Sequence, residues 1–211
     1  AVATTLEQRK VPFDAKVGGY MTGLAPRAAA ATFDQLLSQT SGTRDRQGDT
    51  GTDDESELAK NARSLTDKDF MLPGGVVFSY SNFGYSLAGA VLESMSRLAY
   101  AEILRASVLT PLGMTQSTMR PSEASGPAHA TGYRADGQNL VAASLSNDTR
   151  IWPAGYLWEN ASDMSRAPGL MLQGRVKGQR VAQVVRAKAL SLPELKPPAR
   201  QESPVTAEEM T

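Results

Sequence analysis

The chain has 211 residues, of which 41% are apolar and 21% are charged, a balance typical of a globular domain. Lys plus Arg and Asp plus Glu both total 22, so the net charge gives no reason to expect a nucleic acid or an anionic membrane as the main partner. Because the chain has no cysteine and only one histidine, His129, it excludes disulfides, thiol nucleophiles and a multi-histidine metal site.

The N-terminal third is predicted to contain three short helices joined by loops. Residues 1–9 have apolar residues at helical spacing and end before Pro12. Residues 17–31 are rich in small residues and predict a loop. Thr32 and Gln35 form a capping box for a helix that ends near Ser41 and Gly42. Residues 43–56 predict an exposed polar loop, and residues 55–65 a surface helix whose inward residues are Leu58, Ala62 and Leu65.

The clearest helix is predicted from about Asn82 to Leu98. It follows a Pro-Gly-Gly turn at residues 73–75 and the short apolar, strand-like run 76–78. Asn82 is a suitable N-cap. One face of the helix carries apolar residues at spacings of four, four and three: Leu87, Val91, Met95 and Leu98. A second helix is predicted from about Tyr100 to Leu109, ending before Pro111.

The C-terminal part is predicted to be rich in loops. Residues 133–140 predict a small hairpin around Asp136 and Gly137, and residues 152–155 a turn. Asn160 is predicted to cap a helix through Leu172, which Pro168 would kink or end. Another short helix is expected at 176–190, followed by a proline-rich tail. We therefore expect one partial domain at 1–190 and an extended or disordered tail at 191–211.

The residues that carry chemistry are Tyr80 and Asn82, which lie two apart at a predicted helix N-terminus. The positive potential at such a terminus stabilises a phenolate. An asparagine amide can donate to a substrate carbonyl and accept from a lysine. Without further signals, a packed tyrosine beside an ordinary helix cap is the better explanation of the pair.

Four stretches, in order, resemble the β-lactamase-like serine hydrolases, which include class C β-lactamases, penicillin-binding proteins, D-amino-acid peptidases and esterases. Tyr80-Ser81-Asn82 resembles their Tyr-x-Asn element. Residues 33–42, Phe-Asp-Gln-Leu-Leu-Ser-Gln-Thr-Ser-Gly, resemble a stretch that ends Leu-Leu-Ser-His-Thr-Ser-Gly, with Gln39 in place of histidine. Residues 109–114 resemble a Pro-Leu-Gly-Met loop, and residues 153–164 an Ala-Gly-Gly-Leu-x-Ser-Thr-Ala-x-Asp-Met stretch.

The resemblance implies an α+β fold of the β-lactamase and penicillin-binding-protein type, of which this chain carries mainly the helical part while the main sheet is largely missing. It implies acyl transfer through a serine in a Ser-x-x-Lys motif, acting on amide, ester or lactam bonds. Tyr80 would share the proton transfers, and Asn82 would orient the lysine and the substrate. Gly155 and Tyr156 would line the substrate cleft. The resemblance also implies a small-molecule or peptide substrate and a periplasmic or secreted location. It implies no cofactor, no metal and no transmembrane segment.

The sequence departs from the family pattern at several positions. No lysine is preceded three positions earlier by serine, so the chain has no Ser-x-x-Lys. We expect that motif upstream of Ala1 and a later Lys- or His-x-Gly strand beyond Thr211, and we predict that the chain alone is inactive. Tyr156 stands where glycine is usual. Together with Pro168, these departures leave open the alternative that the chain is a non-catalytic relative that binds a ligand or partner.

A third interpretation is a plain helical interaction domain. A fourth is an α/β-hydrolase, because Gly84-Tyr85-Ser86-Leu87-Ala88 resembles a nucleophile elbow. His129 would then be the base, but no aspartate lies between Ser86 and His129 to orient it. Ser86 is better explained as a helix residue and His129 as a solvated loop residue.

Overall fold

The computed structural model describes residues 1–45, 51–124, 129–143 and 147–167, and about half of the residues in these ranges are helical. The α-helices are α1 Val2–Arg9, α2 Pro26–Ala30, α3 Phe33–Leu37, α4 Glu57–Ser64, α5 Asn82–Ser96, α6 Tyr100–Leu104, α7 Thr110–Leu112, α8 Pro121–Ala124 and α9 Ala161–Met164. Short 3₁₀-helices lie at Val17–Gly19, Asp67–Asp69 and Thr149–Ala154, and a π-helix at Arg105–Leu109. The strands β1 Tyr133–Asp136 and β2 Asn139–Ala142 form an antiparallel hairpin.

Helix α5 is the centre of the core. Most of its residues from Phe83 to Leu92 are buried on every side of the helix, and it packs against α1, α3, α4, α6 and the 3₁₀-helix Thr149–Ala154. A helix that is apolar all round belongs inside a protein. The prediction of a single apolar face was therefore too narrow, although Leu87 and Val91 are fully buried as expected.

The ends of α5 differ from the prediction. Ser81, rather than Asn82, is the N-cap, because its Oγ accepts a hydrogen bond from the Gly84 N–H at 3.3 Å. The helix ends at Ser96, since Arg97 adopts a left-handed conformation with φ 58° and such a residue terminates a helix. Leu98 therefore lies beyond α5 and is 52% exposed instead of facing the core.

The other helices of the N-terminal half are mostly as predicted. Helix α1 covers the expected range, and both bonds of the capping box at α3 are present, with Thr32 Oγ1 accepting from Gln35 N at 3.2 Å and Gln35 Oε1 from Thr32 N at 3.1 Å. The inward residues predicted for α4 are buried: Leu58, Ala62 and Leu65. The loop predicted at 17–31 was wrong, because it contains a 3₁₀-helix and α2.

Three further predictions need correction. The helix after Tyr100 does not stop before Pro111 but continues through the π-helix to Leu112, since proline is tolerated in the first turn of α7. Residues 76–78 form no strand and are exposed. The loop beginning at residue 43 is only partly exposed, because Thr43 is fully buried and its hydroxyl contacts the Ser41 hydroxyl at 2.9 Å.

The C-terminal predictions are partly tested. The hairpin around Asp136 and Gly137 is confirmed, and Asn160 caps α9 by accepting from Asp163 N at 2.8 Å. The turn at residues 152–155 is the end of a 3₁₀-helix. The described residues do not include Pro168, Leu172, the helix expected at 176–190 or the tail at 191–211. Within the described ranges, no helix is long and apolar enough to cross a membrane.

Candidate active site

Tyr80 and Asn82 are brought together by the turn that leads into α5. The Tyr80 hydroxyl donates a hydrogen bond to Asn82 Oδ1 at 2.9 Å. Ser81 between them is fully buried and caps the helix, so the residues on either side of it project from the same turn. The Tyr80 side chain is 61% exposed. The pair therefore lies at an open surface at the N-terminus of α5.

The backbone that carries Tyr80 is held by Gln39. The Ser79 N–H donates to the Gln39 carbonyl at 2.8 Å, and the Ser81 N–H donates to Gln39 Oε1 at 2.9 Å. Gln39 itself adopts a left-handed conformation with φ 60°, which is uncommon for a residue with a side chain. The glutamine that replaces the histidine of the resembling stretch therefore positions the site segment from both its backbone and its side chain.

Asn82 is held by Asp45. Both oxygens of the Asp45 carboxylate accept hydrogen bonds from this one residue, Oδ1 from the backbone N–H at 2.8 Å and Oδ2 from Nδ2 at 2.7 Å. The negative charge also lies at the positive end of α5. Asp45 could not be predicted from the sequence, because no local pattern reveals a contact between residues 37 positions apart.

The segment 39–45, which we call the clamp, is itself fixed by a close approach to residues 71 and 72. The Met71 N–H donates to the Gly42 carbonyl at 2.8 Å. Gly42 has φ 78°, and a side chain there would collide with the carbonyl of Leu72. Only glycine satisfies both the left-handed backbone and this approach, which is the structural reason for glycine at the end of the Thr-Ser-Gly stretch.

Tyr85 lies near Tyr80 but has a different environment. Its hydroxyl donates to the Leu37 carbonyl at 3.0 Å. Burial, and secondly the proximity of Tyr80, raise the pKa of Tyr85. A phenol whose ionised form is disfavoured by burial is a poor base. Tyr80 is therefore the better candidate of the two for proton transfer.

Gly155 and Tyr156 lie at the far end of the 3₁₀-helix that packs along α5. Gly155 is exposed and extended, whereas Tyr156 is half-buried and left-handed with φ 65°. Among the described residues, no hydrogen bond links these two residues to Tyr80 or Asn82. The left-handed backbone explains why glycine is usual at position 156 in the resembling stretch. Tyr156 is strained there, and its side chain packs against the core.

The nucleophile-elbow interpretation is wrong. Ser86 lies inside α5, is 1% exposed, and its hydroxyl donates to the Asn82 carbonyl at 3.0 Å within the helix. An elbow would require an exposed serine between a strand and a helix. His129 lies exposed in the loop before β1. In the part of the chain that the structure describes, no group of His, Asp and Glu side chains converges to hold a metal ion.

Comparison with known proteins identifies the family. The family model named Beta-lactamase matches residues 1–205. The chain belongs to the beta-lactamase family. Penicillin-binding protein 4 of Amycolatopsis lactamdurans is 35% identical over 107 residues, which is 50% of this chain and 28% of that protein. Protein flp of Staphylococcus aureus (strain MRSA252) is 26% identical over 135 residues, which is 63% of this chain and 27% of that protein. The chain therefore spans about a quarter of the length of these curated relatives.

Solved structures confirm the fold. The octameric penicillin-binding protein homologue from Pyrococcus abyssi superposes with a TM-score of 0.71 at 22% identity, covering 94% of this chain and 47% of that one. The D-amino acid amidase from Ochrobactrum anthropi SV3, solved with L-phenylalanine amide, gives 0.65 at 22% identity over 86% of this chain and 54% of its own. This beta-lactamase-family chain thus spans about half of these structures, and its described part carries the helical region expected from the sequence.

Proposed function

We propose that this chain is the central part of a serine hydrolase that transfers acyl groups from amide, ester or lactam bonds through an acyl-serine. The observation that carries the proposal is the 2.9 Å hydrogen bond between Tyr80 and Asn82 at the N-terminus of α5, in a chain of the beta-lactamase family. The family includes beta-lactamases and amidases, which act by this kind of chemistry.

The roles of the residues follow from their hydrogen-bonding capacity. Tyr80 donates its proton to Asn82, so its oxygen lone pairs are directed to other partners, such as a lysine ammonium and the hydroxyl of a nucleophilic serine. For this step the lysine, in its neutral form, would first take the proton of Tyr80; the resulting phenolate would then take the proton of the attacking serine and later give it to the leaving group. Asn82 would hold the lysine and the substrate carbonyl in place. Gly155 and Tyr156 would form a wall of the substrate cleft.

The nucleophile and its lysine would come from a polypeptide that also contains Ser-x-x-Lys, since the 211 residues contain no such motif. We therefore expect no turnover from these residues alone. The periplasmic or secreted location remains part of this proposal, because substrates of penicillin-recognising enzymes are met outside the cytoplasm.

The test is covalent labelling of the polypeptide that carries both parts, with a fluorescent penicillin and with a fluorophosphonate. We expect labelling, and a rate that falls by about 10²-fold or more in Tyr80→Phe. Tyr85→Phe is the matched control, because it removes a neighbouring hydroxyl bonded only to the backbone, and it should label at the original rate. Absence of labelling, or equal rates for both variants, would contradict the proposal.

A binding module without catalysis is the second candidate. It is favoured by the strained Tyr156, which occupies a left-handed position where glycine is usual, and by the missing Ser-x-x-Lys. The reading frame upstream of Ala1 separates the two candidates: a Ser-x-x-Lys motif there supports the hydrolase, and a stop codon or another sequence supports the binding module. Hydrolysis of nitrocefin by the 211 residues, lost in Tyr80→Phe, would contradict the predicted inactivity.

A further inference from the structure

The orientation of the Asn82 amide is decided by its neighbours on both sides. Its oxygen accepts from the Tyr80 hydroxyl at 2.9 Å, and its nitrogen donates to Asp45 Oδ2 at 2.7 Å. If the amide were turned by half a rotation, its oxygen would face a carboxylate oxygen, and two acceptors would repel each other. Asp45 therefore selects the orientation in which the amide oxygen is available to Tyr80.

We propose that Asp45 is a positioning residue for the Tyr80–Asn82 pair, acting through the side-chain amide of Asn82. This inference rests on the proposed function for its catalytic consequence. Asp45 uses one carboxylate oxygen for the Asn82 N–H and the other for Nδ2, which fixes both the backbone and the rotamer of the same residue. Bonds to an ionised acceptor are stronger than neutral ones, so they hold the amide firmly.

Helix capping alone does not explain this arrangement. Ser81 already caps α5 through its hydroxyl, and a capping carboxylate needs to contact only backbone N–H groups. The second bond goes to the side chain that contacts Tyr80. It leaves one Nδ2 proton of Asn82 for a substrate carbonyl, and it keeps the amide oxygen of Asn82 facing the Tyr80 hydroxyl.

The test compares Asp45→Asn and Asp45→Ala with the original chain by NMR of the labelled protein. We expect the side-chain amide protons of Asn82 to exchange with solvent at least about tenfold faster in Asp45→Ala. The Tyr80 side chain should then average over several rotamers, which its Hα–Hβ couplings report. Asp45→Asn should lie between the two, because an amide at position 45 keeps one acceptor oxygen. Asp14→Asn, an exposed aspartate far from the clamp in sequence, is the control.

Hydrogen exchange at the backbone amides of Ser79 and Ser81 distinguishes a positioning role of Asp45 from a general stabilising one. Both are bonded to Gln39, so they should keep their protection in the Asp45 variants while Asn82 loses its own. Joint loss of protection across 79–82 would mean that Asp45 merely stabilises the loop, and unchanged Asn82 and Tyr80 signals would mean that it does nothing there. Either result overturns the proposal.

The catalytic consequence is measured on the polypeptide that carries Ser-x-x-Lys. We expect Asp45→Asn to slow acylation by the fluorescent penicillin about tenfold. The penicillin concentration that gives half of the maximal acylation rate should change little. Acylation at the original rate would overturn the positioning role while leaving the proposed function intact. If the original polypeptide is not labelled at all but the NMR result is positive, the proposed function fails and the orientation of Asn82 by Asp45 stands.

Discussion

Replacing Gly89 by alanine is predicted to destabilise the protein, although the same change stabilises an ordinary helix by about 1 kcal/mol. Gly89 lies in the middle of α5, where a Cβ would be 2.7 Å from Pro153 Cβ, still closer to Pro153 Cγ, and 3.3 Å from Tyr100 Cδ2. Neither ring can move aside without disturbing the core. Overpacking costs about 1–3 kcal/mol, and so close an approach to a proline ring belongs in the upper part of that range, about 2–3 kcal/mol. After the gain of about 1 kcal/mol in helix propensity, we expect a net loss of about 1–2 kcal/mol.

The assay is urea unfolding followed by circular dichroism, with thermal unfolding as a second measurement. A loss of this size corresponds to a fall in Tm of roughly 2–8 °C for a chain of this length. Gly84→Ala is the matched control on the same helix, because its nearest neighbours would be Thr43 Oγ1 at 3.4 Å and Ser41 Oγ at 3.6 Å, ordinary contact distances. We expect it to be neutral or to raise the free energy of unfolding by up to about 1 kcal/mol, because helix propensity then acts without a clash.

A double-mutant cycle identifies the cause of the loss. In a Pro153→Gly background, the pyrrolidine ring is gone and Gly89→Ala should cost at least about 1 kcal/mol less than in the original chain. If Gly89→Ala raises stability as helix propensity alone would, or costs the same in both backgrounds, then α5 does not pack against the 149–154 segment in the manner described here.

Three further changes test other features. Burial raises the pKa of Glu93 to about 7 from 4.5. Ionisation of Glu93 therefore destabilises the folded state, and this destabilisation is absent below pH 4.5 and complete above pH 7. After allowance for partial exposure, Glu93→Gln should be more stable than the original chain by about 1 kcal/mol at pH 8 and equal to it at pH 4. Glu7→Gln, at an exposed position of α1, is the control. If Glu93→Gln and the original chain have the same urea midpoint at pH 8, this prediction is wrong. Thr32→Ala removes one half of the capping box and should lower the free energy of unfolding by about 1 kcal/mol; a change under about 0.3 kcal/mol would show that α3 does not depend on its cap. Because Tyr156 has φ 65°, Tyr156→Gly should be more stable than Tyr156→Ala by about 1 kcal/mol, and equal melting temperatures would mean that the left-handed backbone is not required.

Much of the helical framework was predictable because it depends on local patterns. The capping box of Thr32 and Gln35, the inward residues of α4 and the Asp136-Gly137 hairpin each follow from residues close together in the chain. The predictions that failed at α5 concern its two ends. Ser81 caps the helix by accepting from the Gly84 N–H, while the Asn82 side chain binds Asp45. Arg97 adopts a left-handed backbone and ends the helix before Leu98 can join its apolar face.

The candidate site shows the same division. That Tyr80 and Asn82 lie together at a helix N-terminus was expected from their spacing of two, and the order of the four family-like stretches led to the beta-lactamase family. Their roles in catalysis remain predictions. Gly155 and Tyr156 were expected at a cleft from resemblance alone, and the left-handed backbone at position 156 favours glycine rather than the tyrosine found there.

The sequence by itself therefore determined the family, most helix positions and the two residues with plausible chemistry, because short-range spacing and residue type encode these features. Only the tertiary structure decided how those residues are held. Gln39 and Asp45 contact the 79–82 segment across about forty positions of the chain, and Gly89 accommodates Pro153 from a different element. Such contacts depend on where the backbone folds back on itself, and no local pattern of amino acids specifies that in advance.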